Sequence, residues 1–224
     1  MPINRIGPVA HLVALASAVG VLSTSKKRKA RRIVTVSGRA VRGHFPSLKS
    51  VGQAQFESLV EEASLRVLEV APSVFELRTQ PEVLSLYDTK SDFTYTPDVL
   101  VQLRGPAHYL EVKADRFQTN ESQVRRLHRV RVGMRNAKLA WAIVLESELR
   151  AGGLQDELKD LLRMRPLVDK RRRDLDFSKW DPLDGTQPDD VTATRWANAQ
   201  AACDALLLRV MRRDPGELLP EMTK

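Results

Sequence analysis

One cysteine, four histidines and few aromatic rings narrow what this 224-residue chain can do. With Cys203 alone, neither an intramolecular disulfide nor a cysteine zinc cluster can form, and a reducing, cytoplasmic setting fits. His11, His44, His108 and His128 are scattered without metal-ligand spacing and read as ordinary polar residues. Aromatics make up 5% of the chain, too few for recognition by base stacking. No serine or cysteine has a visible activating base, so covalent nucleophilic catalysis has no candidate. Internal repeats and low-complexity tracts are also missing. Positive charge is in excess. A net charge of +8 and a pI near 9.9 favour a polyanionic partner, nucleic acid first and an acidic membrane second.

The length allows one good core plus a smaller second unit. The reading divides into a basic amino-terminal arm over 1–50, a catalytic core over 51–150 and a helical carboxy-terminal region over 151–224. In the arm, the apolar run 8–23 contains Ala16-Ser17-Ala18, which resembles a signal-peptidase site. The run is nevertheless short for a spanning helix, carries His11, and precedes the block Lys26-Lys27-Arg28-Lys29-Ala30-Arg31-Arg32. A docking helix, with no membrane span, is expected; a start site placed upstream of the true domain is the alternative. Lys26, Lys27 and Arg28 are candidate DNA contacts, or else part of a solvated linker. A strand or hairpin is expected from Ile33-Val34-Thr35-Val36 onward.

In the core, Phe56, Leu59, Val60, Ala63, Val67 and Val70 recur at spacings of three and four, predicting an amphipathic helix over 55–70 that ends at Pro72. Glu57 and Glu61 would share a face of it, one turn apart. Strands are predicted at 74–77 and 83–87, then a hairpin of 98–103 and 108–113 around Arg104-Gly105-Pro106. A second helix over about 120–138 and a buried strand at 141–145 complete a mixed α/β core with a helix on each face. Beyond Gly152-Gly153 come a helix at 154–164, the run Lys170-Arg171-Arg172-Arg173, a Pro/Asp/Gly-rich stretch over 181–190 and a long helix near 190–213. Asp189 or Asp190 would cap that helix, and Trp196, Ala199, Leu206 and Val210 lie on its apolar face.

The decisive pattern is a strand ending Thr96-Pro97-Asp98, twelve residues, and then a strand reading Glu111-Val112-Lys113. Residues two apart in a strand lie about 6.6 Å apart on one face, so Glu111 and Lys113 point together while Leu110 and Val112 enter the core. Two carboxylates and an ammonium at one sheet edge suit a metal-plus-lysine site that cuts phosphodiesters, since magnesium takes one or two carboxylates with water and phosphate oxygens. The bland alternative is two polar positions on a solvated strand face.

The residues around this pattern carry a resemblance. Arg42-Gly43-His44-Phe45-Pro46-Ser47-Leu48-Lys49, Phe56-Glu57-Ser58-Leu59-Val60-Glu61, Leu68-Glu69-Val70-Ala71-Pro72-Ser73-Val74, Gln80-Pro81, Tyr95-Thr96-Pro97-Asp98-Val99-Leu100-Val101 and Leu110-Glu111-Val112-Lys113 follow one another in order. Over about half its length the chain thereby resembles the amino-terminal endonuclease domain of TnsA-type proteins, the strand-cleaving subunits of heteromeric transposases. The resemblance implies a restriction-endonuclease-like PD-(D/E)xK core. It places the helix-borne acid on Glu61, with Glu57 competing, the strand carboxylate on Asp98, the second strand acid on Glu111 and the lysine on Lys113.

What the resemblance implies is a Mg2+-dependent (or Mn2+-dependent) endodeoxyribonuclease. Glu61, Asp98, Glu111 and the Val112 carbonyl would be metal ligands, and a DDE-type transposase subunit would be the protein partner. The alternative is a phage or satellite protein of the same fold, catalytic or structural, acting in DNA end processing, head completion or the head–tail junction, with the virion as its setting. Arg125, Arg126, Arg129 and Arg131 on the second helix, with Arg135 and Lys138, offer phosphate contacts or simply a solvated face. Gln80 reads equally as a turn residue or as a DNA contact at the site's edge.

Overall fold

A computed structural model describes residues 41–164 and 189–221. The apolar run 8–23, the Lys26-Lys27-Arg28 block, the strand expected at Ile33-Val34-Thr35-Val36, the run Lys170-Arg171-Arg172-Arg173 and most of the stretch over 181–190 lie outside them. The strands are β1 (Gly43–Phe45), β2 (Ala54–Phe56), β3 (Val74–Thr79), β4 (Leu84–Tyr87), β5 (Asp92–Tyr95), β6 (Val99–Leu103), β7 (His108–Lys113) and β8 (Trp141–Leu145). The helices are α1 (Leu59–Val70), α2 (Glu121–Asn136), α3 (Glu146–Arg150), α4 (Leu154–Met164) and α5 (Asp190–Arg212).

A four-stranded sheet of order β3-β6-β7-β8 forms the centre. β3, β6 and β7 run antiparallel, and β8 joins parallel to β7 with Tyr109 beside Trp141 and Lys113 beside Leu145. The fold is mixed α/β, a mixed central sheet flanked by helices with a long carboxy-terminal helix. Helices cover both faces, which explains the unbroken apolar run of β8. Val99, Val101, Leu110, Val112, Ala142 and Val144 face α1, α4 and α5. Leu100, Tyr109, Trp141 and Ile143 face α2 and the β4–β5 hairpin.

The elements depart from the sequence reading in four places. α1 starts at Leu59 and not near Gln55, because Ser58 caps it: the Ser58 hydroxyl accepts from the Glu61 N–H at 3.2 Å. Residues 54–56 instead form β2, whose Phe56 ring lies so close to Gly43 that a Cβ there would come within 2.6 Å of it. Glu57 therefore precedes the helix and does not share a helical face with Glu61. β4 leaves the central sheet and pairs with β5. Thr96-Pro97-Asp98 is a break between β5 and β6 and not a strand end, as befits a proline without an N–H to donate.

The boundary near residue 150 divides the sequence more than the core. Leu158, Leu161, Trp196, Cys203, Leu206 and Val210 belong to the same buried cluster as α1 and the sheet. α5 runs from its cap at Asp189, whose side chain accepts from the Thr192 N–H at 2.6 Å. Its Asp204 takes the Ser73 hydroxyl at 2.6 Å, and Arg213 just beyond it bridges the Ile143 carbonyl and Glu148 at 2.8 Å each. Burial pushes the Cys203 thiol up to about 12, the behaviour of a core residue and not of a nucleophile. No helix among the described residues is long and apolar enough to cross a membrane.

The segment 46–50 folds into the body through a buried polar network. Glu69 accepts from the Ser47 hydroxyl at 2.6 Å and the Leu48 N–H at 2.9 Å. Lys49, buried alongside, donates to the Leu68 and Ala71 carbonyls at 3.2 and 2.6 Å, satisfying and charge-balancing the end of α1. Glu69→Ala strands the Ser47 and Leu48 donors in the core and should lower unfolding free energy by about 2–3 kcal/mol. Urea denaturation measures it, and a loss below about 1 kcal/mol would show that water replaces the carboxylate.

Candidate active site

Asp98, Glu111 and Lys113 meet where β6 begins and β7 ends. The β6–β7 register pairs Val99 with Leu110, so Asp98 falls opposite Glu111. The Asp98 carboxylate accepts the Val112 N–H at 2.7 Å, taking a donor just past the last paired rung of the β6–β7 ladder. Its own carbonyl accepts from the Gln80 N–H at 2.8 Å, with Gln80 in a left-handed turn at φ 44°. Glu111 is 2% exposed. One of its oxygens pairs with the Lys113 ammonium at 2.5 Å, and the other accepts from the Tyr95 hydroxyl. A solvated strand face is thus excluded for Glu111. The alternation itself holds, with Leu110 and Val112 in the core of the opposite face.

The electrostatics are those of crowded acids around one lysine. Burial first, and then the neighbouring Glu111 charge, hold the Asp98 carboxyl well above the usual carboxylate range, against the pull of Lys113 and the Val112 N–H. Burial also raises Glu61, with Glu57 adding to it. For Lys113 burial acts downward, but Glu111 and Asp98 outweigh it and the ammonium is held more firmly protonated than usual. Among the described residues no group of three or more His, Cys, Asp or Glu converges as a ready-made metal centre. The Asp98–Glu111 pair is nonetheless the donor set a hard divalent cation uses, and the elevated Asp98 carboxyl marks negative charge that such a cation would relieve.

Glu61 is near but differently employed. Its oxygens accept from the Glu57 N–H at 2.7 Å and the Ser58 hydroxyl at 3.1 Å, a reciprocal cap at the start of α1. Its charge still acts on Asp98 and on Lys113. Glu57 is turned to Gln80, whose amide donates to it at 3.0 Å. Gln80 therefore serves the turn and lines the edge of the site together. The Val112 carbonyl accepts from Lys113 at 3.3 Å.

The structure sorts the arginines of α2 into two groups. Arg129 pairs with Asp88, drawing that carboxyl down to about 2, and stacks 4.6 Å from the Phe93 ring, which fastens the β4–β5 hairpin to the helix. Arg131 grips Asp214 through two bonds of 2.9 and 2.6 Å, tying down the segment after α5. Arg125 is exposed, in a 2.9 Å pair with Glu121 one turn away. Arg126 is also exposed, 5.9 Å above the Tyr95 ring, and its charge acts on Lys113. Lys26, Lys27 and Arg28 lie outside the described residues.

Sequence reasoning passed over Tyr95 and Trp141. Tyr95 directly precedes Thr96-Pro97-Asp98, but nothing local announces that its hydroxyl reaches a strand sixteen residues on. The sequence matches no protein-family model and no curated protein.

A raised carboxyl leaves a signature in stability. In the folded chain Asp98 holds its proton above the unfolded value of 3.8, so metal-free stability falls as pH rises from there through the folded value. Asp98→Asn keeps an acceptor for the Val112 N–H and removes the titration. In chelator, its melting temperature should overtake that of the parent as pH goes from about 4 to about 8. Parallel melting curves across that range would show that the Asp98 charge is not strained.

Proposed function

We propose that the chain is a metal-dependent DNA endonuclease with a restriction-endonuclease-like core, akin to the strand-cleaving subunit of TnsA-type transposases. The observation that carries this reading is the Asp98–Glu111–Lys113 cluster, two acids sharing one lysine where β6 and β7 meet. The core order of helix, antiparallel strands, helix and parallel strand supports it, as does the exposed Arg126 of α2, whose charge acts on Lys113.

Asp98 and Glu111, with the Val112 carbonyl, would hold Mg2+ or Mn2+, and Glu61 would complete or support that set. When bound, the ion supplies a more acidic water and neutralises charge at the scissile phosphate. Lys113, held protonated by Glu111 and Asp98, acts as a fixed positive charge toward the phosphoryl oxygens and not as a base. Arg126 and Arg125 attract the DNA backbone without reading its sequence, so affinity falls steeply with salt. The partner on this reading is a DDE-type transposase subunit that joins the other strand.

Nicking of supercoiled DNA tests the assignment. It should require Mg2+ or Mn2+ and vanish in Asp98→Ala. Lys113→Ala should slow it by at least about 100-fold with DNA affinity nearly unchanged, because its charge acts on what develops during reaction. Wild-type nicking rates in Asp98→Ala would refute the site, and a parallel fall in affinity would recast Lys113 as a binding residue.

The two helix-start acids separate by their surroundings. Glu61→Gln keeps an oxygen for the cap but loses the charge felt by Asp98, and should cut nicking by orders of magnitude. Glu57→Gln alters a contact with Gln80 and should cost little. The reverse ranking in a metal titration of nicking would move the acid to Glu57.

A further inference from the structure

The buried polar chain behind Glu111 has a direction that chemistry alone dictates. An indole N–H can only donate, and the Trp141 ring nitrogen donates to the Tyr95 hydroxyl oxygen at 3.0 Å. The phenol has a single proton, which goes to Glu111. Glu111 receives that proton on one oxygen and meets the Lys113 ammonium at 2.5 Å with the other. The order of donation thus runs from Trp141 to Tyr95 to Glu111.

Packing holds this chain rigid. Tyr95 is 1% exposed, and its ring meets that of Trp141 edge-on, centroids 6.5 Å apart and planes at 88°. Trp141 opens β8, beside Tyr109 of β7, so its indole rides on the central sheet. The β4–β5 hairpin that carries Tyr95 is fastened to α2 by Arg129 and by the close approach of Leu86 to Gly133, where an added Cβ would come within 2.8 Å. Glu111 is thus clamped from both sides, one oxygen by Lys113 and the other by Tyr95. A carboxylate oxygen has a second lone pair, so the clamp leaves room for a cation while setting the plane of the group.

Resting on the endonuclease reading, we propose that Tyr95 is a positioning residue for the metal centre, orienting the Glu111 carboxylate, and that Trp141 in turn orients the Tyr95 phenol. Mg2+ demands near-ideal octahedral geometry, so a loosened Glu111 penalises it more than it penalises the more tolerant Mn2+. Groups that hold metal ligands from behind are typically worth about 10- to 100-fold in metal affinity.

Calorimetric titration of the full chain with Mg2+ and with Mn2+, in the absence of DNA, tests this directly. Tyr95→Phe should weaken Mg2+ binding by about 10-fold or more, with a smaller loss for Mn2+. In the Glu111→Gln background the same change should cause no further loss, since Tyr95 acts through that carboxylate. A Tyr95→Phe protein that binds both ions like the parent overturns the proposal and leaves the endonuclease reading standing. A parent chain whose metal binding is untouched by Glu111→Gln overturns both. Should Tyr95→Phe fail to fold, Trp141→Phe carries the test, because it keeps the phenol and removes its brace. A several-fold loss of Mg2+ affinity that disappears in Glu111→Gln supports the proposal, and unchanged affinity overturns it.

Discussion

A carboxylate buried in a sheet covered on both faces is the constraint around which this molecule is arranged. Glu111 sits on β7, a central strand, at 2% exposure, where an unpaired charge would be prohibitively costly. Its two oxygens are satisfied from opposite directions, by Lys113 two residues along the same strand and by Tyr95 from the neighbouring hairpin. Removing Lys113 takes away the neighbouring cation and removing Tyr95 leaves a buried oxygen without its donor, so the positions of Lys113 and Tyr95 are coupled through Glu111. The hairpin, the end of β7 and the start of β8 are held in one arrangement by this charge.

Around that centre, acidity is left unbalanced. Asp98 stands opposite Glu111 at the start of β6, and Glu61 adds to the field from α1. Two acids share one lysine here, with a third acting on them from the helix cap, and burial sets these charges against one another. On the endonuclease reading proposed above, a bound cation would relieve this imbalance. Away from the acids, Ser47, Lys49 and Glu69 close the end of α1, and Arg213 joins α5 to β8.

The charge of the chain is divided in the same way between structure and surface. Two of the arginines of α2, Arg129 and Arg131, are spent as bridges to Asp88 and Asp214, so the count of positive residues overstates what a polyanion would meet. Arg125 and Arg126 face outward, Arg126 next to the ring that supports Glu111. The charge of Arg126 thereby reaches Lys113 across the Tyr95 ring.

Much of the fold was legible in the sequence because its signals are local. The β6–β7 hairpin, the strand at Trp141–Leu145, the helix at Leu154–Met164 and an aspartate cap at 189 or 190, which the structure places on Asp189, follow from alternation, helical spacing and side-chain chemistry within a few residues. That Glu111 and Lys113 share a face follows from the two-residue period of a strand, and the ion pair between them bears it out. What remained hidden depends on contacts distant in sequence. The start of α1 is hidden because Phe56 packs on Gly43 in a two-stranded sheet, which overrides a helical pattern of apolar residues. The burial of Glu111, its bond to Tyr95, the brace from Trp141 and the diversion of Arg129 and Arg131 into ion pairs were decided by tertiary structure alone. Each arises where two segments far apart in the chain are pressed together, and no periodicity within either segment records the other's presence.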